Sequence, residues 1–269
     1  MPELPEVEVT RRGLAPHLTG RTISGVAVRE RRLRWPVPRT VNALAGRRVR
    51  GIARRGKYLL VDCGGGHLIL HLGMSGSLRV FPIGTPAGKH DHFDLLLGDK
   101  LLRLRDPRRF GAVLWTDGDL AKHPLLAHLG IEPLSGALTP ARLHALTRGA
   151  RVAIKNFLLD GRRVVGVGNI YASESLFRAG VDPRKRAGRI SVSESQKLVI
   201  AIKTTLRAAI KAGGSSLRDF VASDGASGYF QNRTLVYDRA GMPCRRCRTP
   251  IKRIVQGARA TYYCPRCQS

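Results

Sequence analysis

The spacing of apolar residues changes twice along this chain. Residues 7–18 repeat at helical intervals, with Val7, Val9, Leu14 and Leu18 as candidate core positions, and Thr19-Gly20 supplies the stop. From about Thr22 to Trp115 the pattern breaks into short apolar runs separated by turn residues, at 58–61, 67–72, 77–81, 93–97 and 113–115. Runs of that length, punctuated by Gly64-Gly65-Gly66, Gly73 to Gly76 and Gly98-Asp99, predict an antiparallel sandwich or barrel. A hinge candidate lies at 130–136, around Pro133 and Ser135. Beyond it the helical period returns over 140–146, 152–159, 170–177 and 193–212. The last of these opens on Ser193 and ends before Gly213-Gly214, residues suited to starting and stopping a helix. From Leu235 onward the pattern is β-like again and rich in cysteine. The fold class read from this order is α+β and multi-domain.

Charge narrows the picture. The 269 residues carry 47 Lys and Arg against 19 Asp and Glu, a formal net charge of +28. Solubility needs a net charge of only about 2–8 in magnitude, and a larger excess strains the compact state. A polyanionic partner is therefore expected, nucleic acid ahead of an anionic membrane surface. No run reaches the roughly 18 consecutive apolar residues of a membrane span. The opening Pro2-Glu3-Leu4-Pro5-Glu6 is acidic where a secretory signal is basic. Both features predict a cytoplasmic protein, where thiols stay reduced.

In that compartment five cysteines point to metal. Cys244, Cys247, Cys264 and Cys267 form C-x2-C-x16-C-x2-C, the spacing of a structural zinc ribbon with a closed tetrahedral shell. Cys63, in a predicted strand, reads as core. Between the knuckles, 251–256 and 259–263 read as two strands turning at Gly257-Ala258, which puts Arg259 at or beside the tip. From Gly241 to the end there are seven basic residues and no acidic one. A rigid hairpin carrying that charge can enter a DNA groove.

The opening also offers chemistry. With Met1 removed, Pro2 would expose a secondary amine, and an α-amino group titrates near 7.7–8.0 against about 10.4 for lysine. Such an amine can attack a sugar C1′ and form an iminium, while Glu3 moves protons. In isolation Pro2 is more often a harmless start to a loop, and Glu3 a helix-start charge that favours the dipole.

Several stretches together resemble the formamidopyrimidine-DNA glycosylase family: PELPEVE at the opening, GKYLL around Lys57, VGVGNIYASE around Asn169, and the four-cysteine module. HLGMSGSL from His71, KHDH from Lys89, DPRRFG from Asp106 and SDGASGYF from Ser223 extend the resemblance over essentially the whole chain. It implies an N-terminal antiparallel β-sandwich catalytic domain over 1–132. A helix–two-turn–helix DNA-binding domain with a lesion-capping loop would follow at 133–232, then a zinc-finger β-hairpin at 233–269. One structural zinc ion is implied and no organic cofactor.

Residue by residue, the resemblance makes Pro2 the nucleophile, Glu3 the general acid, Lys57 the lysine of strand cleavage and Arg259 the arginine of the second elimination. His71, Asn169 and Tyr237 fall on phosphate contacts, and His90 and Arg151 on further DNA contacts. Arg151 stands where some relatives have lysine, which keeps the charge but not the geometry. Met74, Arg108 and Phe110 match the three residues that fill the hole left by an everted nucleotide, although apolar residues such as Met74 and Phe110 are ordinarily core. The stretch 213–230 matches a loop that closes over the extruded base, and its small residues suit a lid.

The implied activity is removal of oxidised purines, 8-oxoguanine and formamidopyrimidines, from double-stranded DNA opposite cytosine. Base flipping and a Pro2 Schiff base would precede β,δ-elimination, in a monomeric, bacterial-type enzyme. Two alternatives stand beside it. One is an endonuclease VIII-like glycosylase for oxidised pyrimidines, against which Leu4 and the Met74, Arg108 and Phe110 set argue. The other is a non-catalytic zinc-ribbon DNA-binding protein, against which Pro2, Glu3 and Lys57 argue.

Overall fold

A computed structural model describes residues 2–215 and 234–269. The chain divides into two compact units, each assembled from two stretches. The first comprises Met1–Ala127 and Ala212–Gln231, the second His128–Lys211 and Asn232–Ser269.

The first unit opens with α1, Leu4–Leu18. Glu3 caps it in a capping box: its backbone amide donates to the Glu6 carboxylate at 2.8 Å, and Pro5 sits in the first turn, where its missing N–H costs nothing. The helix therefore starts three residues earlier than the apolar spacing alone predicts. Val7, Leu14 and Leu18 are buried as expected. Val9 is only half-buried, because two residues of helix turn it about 200° away from Val7.

Eight strands follow in two antiparallel sheets of four. They are β1 (Gly25–Val28), β2 (Gly51–Arg55), β3 (Tyr58–Asp62), β4 (His67–His71), β5 (Ser77–Pro82), β6 (Asp91–Leu96), β7 (Lys100–Arg105) and β8 (Ala112–Thr116). One sheet runs β1-β6-β7-β5 and the other β2-β3-β4-β8. Alternate residues point into a shared core: Leu59 and Val61, Leu68 and Leu70, Phe93 and Leu95, Leu102 and Leu104, joined by Val7, Leu14 and Leu18 of α1. Each such side chain contributes about 1.5–3 kcal/mol on burial. Of the two architectures that the short punctuated runs predict, sandwich or barrel, this is the antiparallel sandwich. Cys63 belongs to its core, where burial pushes the thiol up to about 11.

The second unit contains α2 (Pro140–Thr147), α3 (Ile154–Leu159), α4 (Asn169–Ala179) and α5 (Val192–Lys211). Its start signals are local. Thr139 Oγ1 accepts from the Arg142 amide, and Ser191 and Glu194 form a reciprocal box, so α5 is capped two residues before the expected Ser193. Gly180, at φ 74°, ends α4 in a left-handed cap. The expected hinge is pinned within its own unit: Gly130 N donates to Gly161 O, and Ile131 pairs with Val164. A Cβ on Gly130 would lie 2.4 Å from Arg163 O. The cysteine-rich end forms β9 (Lys252–Gln256) and β10 (Arg259–Tyr263), antiparallel, with Arg259 opposite Gln256. Gly257 and Ala258 both have positive φ, 54° and 59°, the conformation of a type I′ hairpin turn.

Candidate active site and nucleic-acid interface

In the first unit Pro2 and Glu3 are buried at the head of α1, Glu3 with 2% of its surface exposed. The other oxygen of the Glu6 carboxylate accepts from the Ser215 amide at 2.8 Å and from its hydroxyl at 3.1 Å. One buried carboxylate thus binds both the first residues of the helix and the point where the chain returns to this unit. Sequence reading missed Glu6. The E-x-x-E spacing of a capping box was the available signal.

Gly56 and Lys57 form the two-residue tip between β2 and β3, with Gly56 at φ 58° and Arg55 opposite Tyr58. Tyr58 pairs across the sheet with His71, their rings 4.8 Å apart. His71 Nδ1 accepts from the Gly73 amide at 3.0 Å. Burial first, then the charges of Lys57 and Arg34, push this imidazole down to about 4. It is therefore neutral at physiological pH, with Nε2 carrying the proton and able to donate.

The turn bearing Met74 and the loop bearing Arg108 and Phe110 are locked together. Asp106 is fully buried, and its carboxylate accepts from Ser75 Oγ at 3.0 Å and from the Gly111 amide at 2.7 Å. Gly73, at φ 60°, lies so close that an added Cβ would meet the Phe110 carbonyl carbon at 2.4 Å. Met74 is half-buried, whereas Phe110 is 41% exposed with the Arg108 guanidinium 5.1 Å from its ring centroid. Exposed aromatic surface of that size is unusual in a core residue and suits an apolar wedge. His90 is half-buried, its carbonyl accepting from the Asp106 amide.

In the second unit Asn169 opens α4, and its side-chain amide donates to Ala260 O at 3.0 Å. Lys155 in α3 is fully buried and donates to the same carbonyl at 2.9 Å. These bonds fix β10 immediately after Arg259, which is exposed. Tyr237 packs edge-on to Tyr262, ring centroids 5.1 Å apart. Its amide, with those of Leu235 and Val236, donates to the buried Glu174 carboxylate. Arg151 is exposed just before α3. Neither Lys155 nor Glu174 was visible in the sequence, because charged residues are almost always exposed unless paired. Of the predicted loop at 213–230, residues from 216 onward lie outside the described residues.

The sulfurs of Cys244, Cys247, Cys264 and Cys267 all lie within 4.8 Å of one another, with Cys244–Cys267 at 4.0 Å and Cys247–Cys264 at 3.5 Å. Four thiolates about 2.3 Å from a tetrahedral zinc would have edges of about 3.8 Å, so the donor set fits one zinc ion. With four protein ligands the site is structural.

Comparison with known proteins agrees along the chain. The formamidopyrimidine-DNA glycosylase N-terminal domain matches residues 1–113, the H2TH domain of the same enzymes 129–221, and the zinc finger found in FPG and IleRS 241–269. Together with the sandwich and the four-cysteine hairpin, these define the class: a zinc-bearing DNA glycosylase of base-excision repair, a hydrolase of N-glycosyl bonds with AP lyase activity. Formamidopyrimidine-DNA glycosylases of Cupriavidus pinatubonensis and Burkholderia vietnamiensis are each 58% identical over 100% of both chains. The crystal structure of MutM (Fpg) from Thermus thermophilus is 39% identical, with TM-score 0.90 over 99% of this chain and 98% of that one. A Lactococcus lactis FPG mutant in complex with Fapy-dG-containing DNA is 34% identical, with TM-score 0.93 over 100% of both. The chain belongs to the formamidopyrimidine-DNA glycosylase family. Among the described residues no helix is long and apolar enough to cross a membrane.

Proposed function

We propose that this enzyme removes 8-oxoguanine and formamidopyrimidines from duplex DNA opposite cytosine, with the amine of Pro2 as nucleophile after loss of Met1. The observation that carries the reading is the buried Pro2-Glu3 pair at the head of α1, held by Glu6. Flipping the lesion out costs a few kcal/mol of stacking and pairing. Met74 and Phe110 offset part of that by filling the gap, and Arg108 bonds the orphaned cytosine. The Pro2 nitrogen then bonds to C1′ as the C1′–N bond to the base breaks, and Glu3 delivers a proton as the sugar ring opens. The resulting iminium withdraws electrons from C2′, whose proton leaves as the 3′ phosphate departs. A second elimination releases the 5′ phosphate. Lys57 serves strand cleavage and Arg259 the second elimination, while His71, His90, Arg151, Asn169 and Tyr237 hold the DNA backbone. The functional modules in this reading are 1–132, 133–232 and 233–269, in a monomer acting in the bacterial cytoplasm.

Borohydride trapping tests the chemistry. The processed enzyme should become covalently attached to lesion DNA, and Pro2→Gly should sharply weaken base excision. Full excision by that variant would remove the assigned nucleophile. A relative from Lactococcus lactis, 33% identical with TM-score 0.91, was solved with DNA containing an oxidised pyrimidine. The substrate panel therefore includes thymine glycol, and fastest cleavage of that lesion would favour the pyrimidine-directed reading.

A further inference from the structure

Residues 106–111 join β7 to β8 and carry Arg108 and Phe110. Between those two stands Arg109 at φ 56°, in the left-handed region that a residue with a Cβ enters only at a cost. A strained residue of this kind persists where its surroundings over-determine it, and such residues cluster at functional sites.

Asp106 supplies those surroundings. Its carbonyl accepts from the Arg109 amide at 3.1 Å, and its carboxylate from the Arg108 amide at 3.3 Å and the Gly111 amide at 2.7 Å. One residue thus gathers three amides of the loop that follows it. Asp106 is anchored in turn. Its amide donates to His90 O at 2.9 Å, and buried His92 donates from Nε2 to its carbonyl at 2.9 Å. Ser75 carries the hold across to the turn that bears Met74. Its hydroxyl donates to Asp106 Oδ1 at 3.0 Å and accepts from the Arg108 amide at 3.3 Å. Ser75 and Asp106 are both buried, whereas Phe110 on the same loop is exposed.

We propose that the buried Ser75–Asp106 pair is the positioning element of the wedge, holding Met74, Arg108 and Phe110 in the arrangement that fills the stack behind an everted nucleotide. The inference rests on the wedge reading above. The two residues act through the backbone of their neighbours and not on DNA themselves. Misplacement of a positioned group by about 1 Å can cost a reaction roughly 10²-fold, so a small shift of this loop is enough to be read in the rate.

The test compares two single-turnover rates of the zinc-loaded, processed full chain. One is excision of 8-oxoguanine paired with cytosine, which requires a base to leave the stack. The other is borohydride trapping at a preformed abasic site, where no damaged base is left to displace. Ser75→Ala and Asp106→Asn should each lower the ratio of excision to trapping by about ten-fold or more. An inactive fraction lowers both rates alike and leaves their ratio untouched, so a folding defect cannot imitate the result. The double variant should lose no more than the worse single one, because the two residues act as a unit. Losses that multiply would overturn the pair. Met74→Ala is the control for the wedge itself and should lower the same ratio. An unchanged ratio in Met74→Ala overturns the wedge reading and this inference with it. A lowered ratio in Met74→Ala beside unchanged ratios in Ser75→Ala and Asp106→Asn overturns the inference alone.

Discussion

Lys155 is completely buried, and its ammonium donates to the Thr261 hydroxyl at 2.6 Å. A lysine held in this way ties α3 to the strand that follows Arg259. Thr261→Val keeps the shape and removes the acceptor, so it should cost about 1.5–3 kcal/mol, the range for hydrogen bonds to a charged group. Thermal unfolding of the zinc-loaded protein measures this. A melting temperature equal to the wild type's would show that the bond contributes nothing.

Gly73→Ala should disturb the Met74 turn and the Phe110 loop, which the proposed function makes a wedge. Ala at φ 60° costs about 1–2 kcal/mol, and its methyl would press on the backbone of Phe110. Base excision from duplex DNA should therefore fall more than nonspecific DNA binding does. Equal losses in the two assays would separate Gly73 from the wedge.

Chelating zinc should remove the hairpin and with it DNA affinity, because four buried or half-buried thiols have nothing else to order them. The sandwich has its own core and should keep its β-type circular dichroism. Undiminished binding after chelation would rule out a groove-entering hairpin.

Acid should act through two groups. His71 titrates near 4 against about 6.5 when unfolded, so the folded state binds fewer protons there. The stability this contributes is complete above about pH 6.5 and is lost as pH falls toward 4. Burial alone would raise the Glu8 carboxyl, but hydrogen bonds from Arg11 and Arg12 and the charges of Arg11 and Arg54 hold it down to about 2. Its contribution is present above about 4.5 and lost as pH falls toward 2. An imidazole NMR titration should place the His71 midpoint near 4, and Lys57→Met should raise it. A midpoint near 6.5 in the wild type would contradict the buried neutral ring.

Much of this was legible because it is local. Short apolar runs bounded by turn residues gave the strands bearing Leu59 to Val61 and Leu68 to Leu70, and cysteine spacing gave the zinc ligands. The strands β1, β2 and β7 escaped notice. Arg54 and Arg55 in β2, and Arg103 and Arg105 in β7, interrupt the apolar run, and Arg103 is buried against Asp94 at 2.8 Å, a pairing no sequence window displays. Glu6, Lys155 and Glu174 were missed for the same reason. Their partners Ser215, Thr261 and Leu235 are distant in the chain, and only the tertiary fold makes a buried charge tolerable.

The bond from Ser215 to Glu6 joins groups 209 residues apart. At about 5–20 residues per second, a ribosome needs roughly 10–40 s to pass from one to the other. For that interval the leading helix exists without its latch, and the whole second unit's helical stretch is made before the latch arrives. Under the reading proposed above, removal of Met1 during this interval would precede that contact.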